Sequence, residues 1–132
     1  HNSEEAISWL ESLALALGCR HTVRVTPAEH DATIAYTSNL PHVTAVALMD
    51  SASFNDKTRY FVAGSFRDGT RVADINPELW SNLFLANKEK VADEIDRYME
   101  QLTLWRDALR SGDGEQLKAL MRTAGERRRE LF

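Results

Sequence analysis

Residues 26–42 read TPAEHDATIAYTSNLPH, and this stretch decides the fold of the chain. It opens with a strong helix-start signal, because Thr26 is a capping residue, Pro27 stands at the first helical position and Glu29 completes a capping box. Apolar residues follow until Pro41, which lacks a backbone donor and disfavours the helical state of the residue before it. The pattern predicts a helix that begins at Thr26 and kinks or breaks just before Pro41.

Capping signals and helical periodicity continue on both sides of this stretch. The predicted helices cover residues 3–17, 26–40, 43–49, 66–74, 76–110 and 113–129. Residues 43–49 are apolar almost all round, which predicts a buried central helix. One alternating, β-branched run predicts a single short strand at residues 21–25, and no second strand is evident to pair with it. We expect an all-α fold with a long C-terminal helix and one short strand.

The predicted helix over residues 76–110 has a consequence for assembly. At 1.5 Å per residue it would be about 50 Å long, which exceeds the diameter of a globule of this size. Its apolar stripe consists of Trp80, Phe84, Val91, Ile95, Tyr98, Leu102, Trp105 and Leu109. Either the helix breaks or a second subunit covers the excess, and we expect a homodimer with a helical interface.

Length and composition exclude several classes of protein. A chain of 132 residues with 43% hydrophobic residues is a single globular domain in size. The net charge of −4 argues against nucleic-acid binding, which needs a basic face. Apolar runs are far shorter than the roughly 20 residues of a membrane span, and the single Cys19 cannot form an internal disulfide. We expect a cytoplasmic protein. The chain opens with His1 rather than Met, which suggests a fragment of a longer protein, although removal of an initiator Met would give the same start.

Two motifs indicate no cofactor or metal in this chain. The segment from Gly64 to Thr70 has the glycine spacing of a phosphate loop but lacks its lysine, and no G-x-G-x-x-G fingerprint occurs. The spacing of His30, Asp31 and His42 matches no zinc pattern, so we expect no metal site. The alternative for the two histidines is a surface position for His30 and a half-buried, hydrogen-bonded position for His42.

Arg67 and Arg71 stand four residues apart on one predicted helix face. This spacing suits a solvated face with ion pairs to Asp68 and Asp74. It also suits a guanidinium site for a carboxylate, which arginine binds through two parallel hydrogen bonds. The spacing leaves both interpretations open.

Two longer stretches resemble one family in the same order. Residues 25–48 (VTPAEHDATIAYTSNLPHVTAVAL) and 66–91 (FRDGTRVADINPELWSNLFLANKEKV) are similar to the C-terminal domain of prephenate dehydrogenases. That family shows a P-E-x-H-D opening, an S-H-L-P-H element, and F-R-D-x-T-R-[IV]-A followed by a P-x-x-W stretch. The resemblance implies a helical dimerisation domain that forms one wall of the substrate cleft.

The resemblance also implies the reaction and which domain contributes each part of the active site. The reaction is the oxidative decarboxylation of prephenate, or in some members arogenate, with NAD or NADP on the route to tyrosine. The cofactor and the catalytic histidine belong to an N-terminal nucleotide-binding domain that this chain lacks, so we expect no catalytic or cofactor-binding residue here and no activity of the chain alone. Residues 1–25 would be the tail of that domain, and residues 26–132 the helical domain.

Four residues are implied to bind substrate. Arg71, the second arginine of FRDGTR, should pair with a substrate carboxylate. His42, from LPH, should lie in the substrate pocket, where Gly64 contributes a backbone contact. Trp80 should reach the pocket or its rim, from this subunit or from its partner in the dimer.

Three further residues are candidates for substrate contact or for the edge of the cleft: His30, Asn39 and Arg67. His30, with Asp31, is implied to lie near the hinge between the domains. Arg67 is expected to pair with a nearby acid. Asn39 stands where the family has the first histidine of S-H-L-P-H, which bears on substrate preference and on feedback inhibition by tyrosine.

Two other functions fit the same residues. One is a purely structural dimerisation module without ligand contacts. The other is a regulatory domain that binds tyrosine. Ligand binding that depends on Arg71 would separate these from the substrate-binding interpretation.

Overall fold

All regular secondary structure is helical within residues 2–132, which the computed structural model describes. The elements are α1 (Glu4–Ala16), α2 (Pro27–Ile34), a π-helical segment (Ala35–Asn39), α3 (Leu40–Met49), a 3₁₀ turn (Thr58–Tyr60), α4 (Gly64–Thr70), α5 (Pro77–Ala86), α6 (Lys88–Ser111) and α7 (Gly114–Leu131). The all-α prediction is confirmed. The chain divides into two compact units, residues 1–30 and 31–132. No described helix combines the length and apolar character that a membrane span requires.

The strand predicted at residues 21–25 is wrong. Residues 21–26 have no regular secondary structure. A strand is held by ladder hydrogen bonds to a neighbouring strand, and no sheet forms within the described residues to supply them. The alternating valines of this segment are accordingly exposed, with Val23 at 72%.

Side-chain ion pairs hold this extended segment to α1. The Arg24 guanidinium donates to both carboxylate oxygens of Glu11, at 2.7 and 3.0 Å, and to Glu4 at 2.8 Å. The hydrogen bond from Arg24 lowers the pKa of the Glu11 carboxyl, and the two carboxylates raise the pKa of Arg24. These ion pairs therefore connect the segment to α1, whereas the backbone hydrogen bonds of the predicted strand are absent.

The capping box predicted at the start of α2 is confirmed. The Thr26 backbone N–H donates to the Glu29 carboxylate at 2.7 Å, and the Glu29 N–H donates to Thr26 Oγ1 at 3.2 Å. The backbone hydrogen bond from Thr26 lowers the pKa of Glu29. The local sequence alone determines this helix start, because both partners lie within one turn.

A kink or a break was predicted just before Pro41; the helix does not end there, but its α-helical geometry is interrupted by the π-helical segment Ala35–Asn39. Helical geometry continues from α2 through the π-helical segment into α3, and the Leu40 N–H donates to the Ala35 carbonyl five residues back. Pro41 lies in the first turn of α3, where its missing N–H is tolerated. The helix thus accommodates the proline by one wider turn, and π-turns of this kind are frequent at functional sites.

The segment predicted to be a buried central helix is only partly buried. Ala45 of α3 is 1% exposed, but Val46 and Leu48 are 37% and 48% exposed. The helix packs on α4 and α6, which leaves part of its apolar circumference without a neighbour in this unit.

The long helix predicted from residue 76 to residue 110 is divided at Asn87. α5 ends at Ala86, and α6 begins at Lys88 and runs for 24 residues. The Asn87 side-chain amide donates to the Asp31 backbone carbonyl at 2.8 Å. This tertiary hydrogen bond fixes the N-terminal end of α6 beside the end of α2. The shorter helix α4 also differs from its prediction, because it begins at Gly64 and ends at Thr70.

The described core is small for a chain of this length. Its buried apolar residues are Ala35, Leu40, Ala45, Val91 and Ala108. The chain exposes 11051 Å², whereas a compact monomer of this mass exposes about 7,000 Å². Much apolar surface therefore has no partner within the chain.

Candidate functional site

His42, near the start of α3, has a defined ring orientation. Its Nδ1 lies 2.8 Å from the Ser38 carbonyl oxygen, one turn earlier. A carbonyl only accepts hydrogen bonds, so Nδ1 carries the proton and donates. In the neutral ring Nε2 is then an acceptor, which leaves one hydrogen-bonding position of His42 for a ligand.

An aromatic wall forms around His42. The His42 and Trp80 rings are stacked, with centroids 3.8 Å apart and an interplanar angle of 29°. Phe84 lies one turn after Trp80 on α5, and its ring centroid is 5.4 Å from that of Trp80. All three side chains are half-buried. The structure thus brings together two residues, His42 and Trp80, that were assigned to the substrate pocket.

Arg71 follows α4 directly and its side chain is exposed. It makes no ion pair or hydrogen bond with any described side chain, so its guanidinium is available for an anion. Arg67 is equally exposed, and the ion pair expected between Arg67 and a nearby acid is absent from the described residues. Residues four apart on a helix have Cβ atoms about 5–6 Å apart, so the two arginines present two charges on one face.

Gly64 is the first residue of α4, which packs on α3. A side chain at this position would meet nothing within 4 Å, so the Gly64 backbone faces open space. Residues 2–132 form no enclosing second wall for the site: the cavity of about 430 Å³ next to Phe66 is lined by neither His42 nor Arg71. A substrate held on this wall would need a second surface opposite it.

The remaining candidates lie in different surroundings. His30 is exposed on α2, and its N–H donates to the Thr26 carbonyl at 2.9 Å. The backbone of Asp31 accepts the Asn87 hydrogen bond described above. Asn39 is 4% exposed, and its Oδ1 has no hydrogen-bond partner in the described structure.

Two residues of the site were not identified from the sequence pattern. Ser38 orients His42 through its carbonyl, and Phe84 supports Trp80. Each stands four residues from a predicted site residue, and this i,i+4 spacing is the signal that points to them. Among the described residues, no group of three His, Cys, Asp or Glu side chains is placed to hold a metal ion.

Comparisons with known proteins agree on one family. The family model described as "Prephenate dehydrogenase, dimerization domain" matches residues 26–123. The prephenate dehydrogenase of Bacillus subtilis is 30% identical over 129 residues, which is 95% of this chain and 34% of that protein. The cyclohexadienyl dehydrogenase of Zymomonas mobilis is 36% identical over 123 residues, covering 89% of this chain and 41% of that protein.

A solved structure agrees with the sequence relatives. The crystal structure of prephenate dehydrogenase from Aquifex aeolicus, in complex with hydroxyphenyl propionate and NAD+, superposes with a TM-score of 0.77 at 27% identity. The superposition covers 97% of this chain and 46% of that one. The chain therefore spans less than half the length of each of these proteins.

Proposed function

The chain belongs to the family of prephenate dehydrogenase dimerization domains, and from this premise we propose that it is the C-terminal domain of an NAD- or NADP-dependent dehydrogenase acting on prephenate or arogenate. The reaction is oxidative decarboxylation, which forms the 4-hydroxyphenyl product on the route to tyrosine. The observation that carries the proposal is the family match over residues 26–123, which includes the His42–Trp80 wall and Arg71.

The chemistry explains why this wall supplies a guanidinium. A nicotinamide bound by the N-terminal domain would supply hydride acceptance at the ring carbon that bears the hydroxyl, and loss of CO₂ would restore aromaticity. This domain holds the anionic substrate in one orientation, because correct positioning of the reactants alone lowers the activation barrier substantially. The unpaired Arg71 binds a substrate carboxylate through two parallel, charge-assisted hydrogen bonds.

The other site residues complete this orientation. Trp80 and His42 present an apolar face to the substrate ring, and His42 Nε2 accepts a hydrogen bond from a substrate donor. The open backbone of Gly64 contributes a polar contact, and Arg67 adds positive charge beside Arg71. Tyrosine shares the ring and carboxylate of the substrate and would compete for the same wall as an inhibitor.

The first unit fits a connection to a nucleotide-binding domain. α1 exposes an apolar face in which Trp9 is 63% and Leu13 40% exposed, and Val23 follows in the unpaired segment. We propose that residues 1–25 are the tail of that domain, which would cover this apolar face. That domain also supplies the cofactor site and the catalytic histidine, because this chain contains no dinucleotide fingerprint.

The exposed part of α6 supports a homodimer. Its apolar stripe is buried at Val91 but becomes exposed toward the C-terminal end, where Tyr98, Leu102 and Leu109 are 39%, 50% and 64% exposed. An exposed apolar stripe of this kind marks a surface that binds another apolar surface. We propose that a second copy covers it and that the dimer is a cytoplasmic enzyme.

The test is the activity of the full-length enzyme. With NAD+ or NADP+ it should form the reduced nicotinamide, followed by its ultraviolet absorbance, when prephenate or arogenate is added. The present chain alone should show no turnover. Absence of turnover by the full-length enzyme with either substrate and either cofactor would leave the purely structural module as the better account.

A further inference from the structure

We infer that Arg67 binds a second carboxylate of the substrate, beside the carboxylate that Arg71 binds. The inference rests on the proposed function and concerns the same site. Prephenate and arogenate each carry two carboxylates, one directly on a ring carbon and one at the end of the side chain on that same carbon. A site with a single guanidinium would leave one of these two charges without a partner.

The starting observation is that the Arg67 guanidinium has no partner within residues 2–132. The sequence suited an ion pair between Arg67 and Asp68 or Asp74, and neither pair forms. The Arg67 side chain is exposed and makes no hydrogen bond to the described part of the chain. An arginine held by its own acid would be unavailable to a ligand. Arg67 is instead available to an anion from outside this chain.

The backbone places Arg67 beside Arg71. Arg67 lies within α4, and Arg71 follows that helix with helical backbone angles (φ −53°, ψ −32°), so helical spacing extends to both residues. Positions i and i+4 share one helix face, with Cβ atoms about 5–6 Å apart. The two carboxylate carbons of the substrate are joined by four carbon–carbon bonds of about 1.5 Å, which span at most about 5 Å. Two neighbouring guanidinium groups therefore match the spacing of two neighbouring carboxylates.

The charge of the substrate favours a separate cation for each carboxylate. A guanidinium that binds one carboxylate through two parallel hydrogen bonds has one edge of its fork engaged in that pair. A second carboxylate that left water without a cation of its own would lose its hydration without compensation. The chain has a net charge of −4, so local positive charge is needed to offset its repulsion of an anionic ligand. Arg67 supplies that charge at the position next to Arg71.

The experiment measures two constants of the full-length enzyme: the KM of the cyclohexadiene substrate and the inhibition constant of hydroxyphenyl propionate. This inhibitor has a carboxylate on its side chain and none on its ring. Arg67→Ala should raise the substrate KM by about 10- to 100-fold and change the cofactor KM by less than about twofold. Of Arg67→Ala and Arg71→Ala, only one should weaken the inhibitor by more than about threefold, because the inhibitor offers a single carboxylate.

Two further variants serve as controls. Arg67→Lys keeps the charge without the two parallel hydrogen bonds, so it should recover part of the loss, and it serves also if the alanine variant does not fold. Arg122→Ala removes an exposed charge from α7 and should change neither constant.

Three results would overturn the inference. The first is an unchanged substrate KM in Arg67→Ala. The second is an equal weakening of the inhibitor by Arg67→Ala and Arg71→Ala, which would show a general positive field. The third is an equal rise of the substrate and cofactor KM together with a lower melting temperature, which would show that Arg67 pairs with an acid of the N-terminal domain. If the wild type turned over neither substrate, the proposed function would fail and this inference with it.

Discussion

Leu102→Asp should dissociate the proposed dimer. Leu102 lies on the exposed part of the α6 stripe between Tyr98 and Leu109, and it is 50% exposed in the single chain. Covering the exposed half of a leucine side chain, about 80 Å², contributes about 2 kcal/mol. The position occurs twice in a symmetric dimer, so the loss is about 4 kcal/mol, or about a thousandfold in dissociation constant. The cost of burying an unpaired carboxylate adds to this loss.

Sedimentation equilibrium over a concentration series is the assay for this change. The wild-type chain should sediment as twice its mass of 14.9 kDa and the variant as a monomer at the same concentration. Leu104→Asp is the matched control, because Leu104 is 44% exposed on the same helix but lies away from the stripe. A wild-type monomer would refute the reasoning, and so would dimers in both variants.

Three smaller perturbations test the local structure. Trp80→Ala should lower the free energy of unfolding in urea by at least the roughly 0.5–1.5 kcal/mol of an aromatic pair, while Trp80→Phe keeps most of it. Asn76→Ala should cost about 1 kcal/mol in the same assay, because the Asn76 side chain accepts the Leu79 N–H at 3.0 Å; no loss would contradict the cap. The lowered pKa of Glu29 means that its contribution to stability is complete above the ordinary value of 4.5 and disappears as pH falls through the folded-state pKa. An NMR titration should therefore place that pKa below 4.5, and Thr26→Val should raise it, whereas an unshifted Glu29 would contradict the capping box.

The helix starts were predictable because their causes are local. At Thr26 and at Asn76 a side chain and the N–H that it caps lie within one turn, so the sequence pattern contains the whole interaction. The absence of a strand at residues 21–25 was not predictable, because alternation shows only that a segment suits a sheet. Its hydrogen bonds come from another strand, and the described chain has none.

The two helix interruptions show the same limit. Pro41 is a strong local signal, yet the helix absorbs it with a π-turn. Asn87 is a weak local signal, yet the helix divides there, where the Asn87 side chain bonds to the Asp31 carbonyl. At Asn87 a tertiary contact accompanies the division of the helix, and the periodicity of the sequence does not reveal that contact.

The site was predictable by resemblance more than by pattern. The spacing of the arginines left two interpretations open, and only the family motif singled out Arg71. The stacking of His42 on Trp80 joins residues far apart in sequence, so no local rule predicts it. The sequence shows Asn39 only as a departure from the family motif. The burial of its Oδ1 without a hydrogen-bond partner is visible only in the structure.

The central claim is that this domain binds a substrate carboxylate through Arg71, and the Michaelis constants of the full-length enzyme test it most directly. Arg71→Ala should raise the KM of the cyclohexadiene substrate by about 30- to 100-fold, as expected for a charge-assisted pair, with less than about a twofold change for the nicotinamide cofactor. Arg71→Lys should recover only part of the loss, because lysine cannot form two parallel hydrogen bonds. Arg129→Ala, at the end of α7, should change neither constant. An unchanged substrate KM in Arg71→Ala, or an equal rise for substrate and cofactor, would contradict the claim.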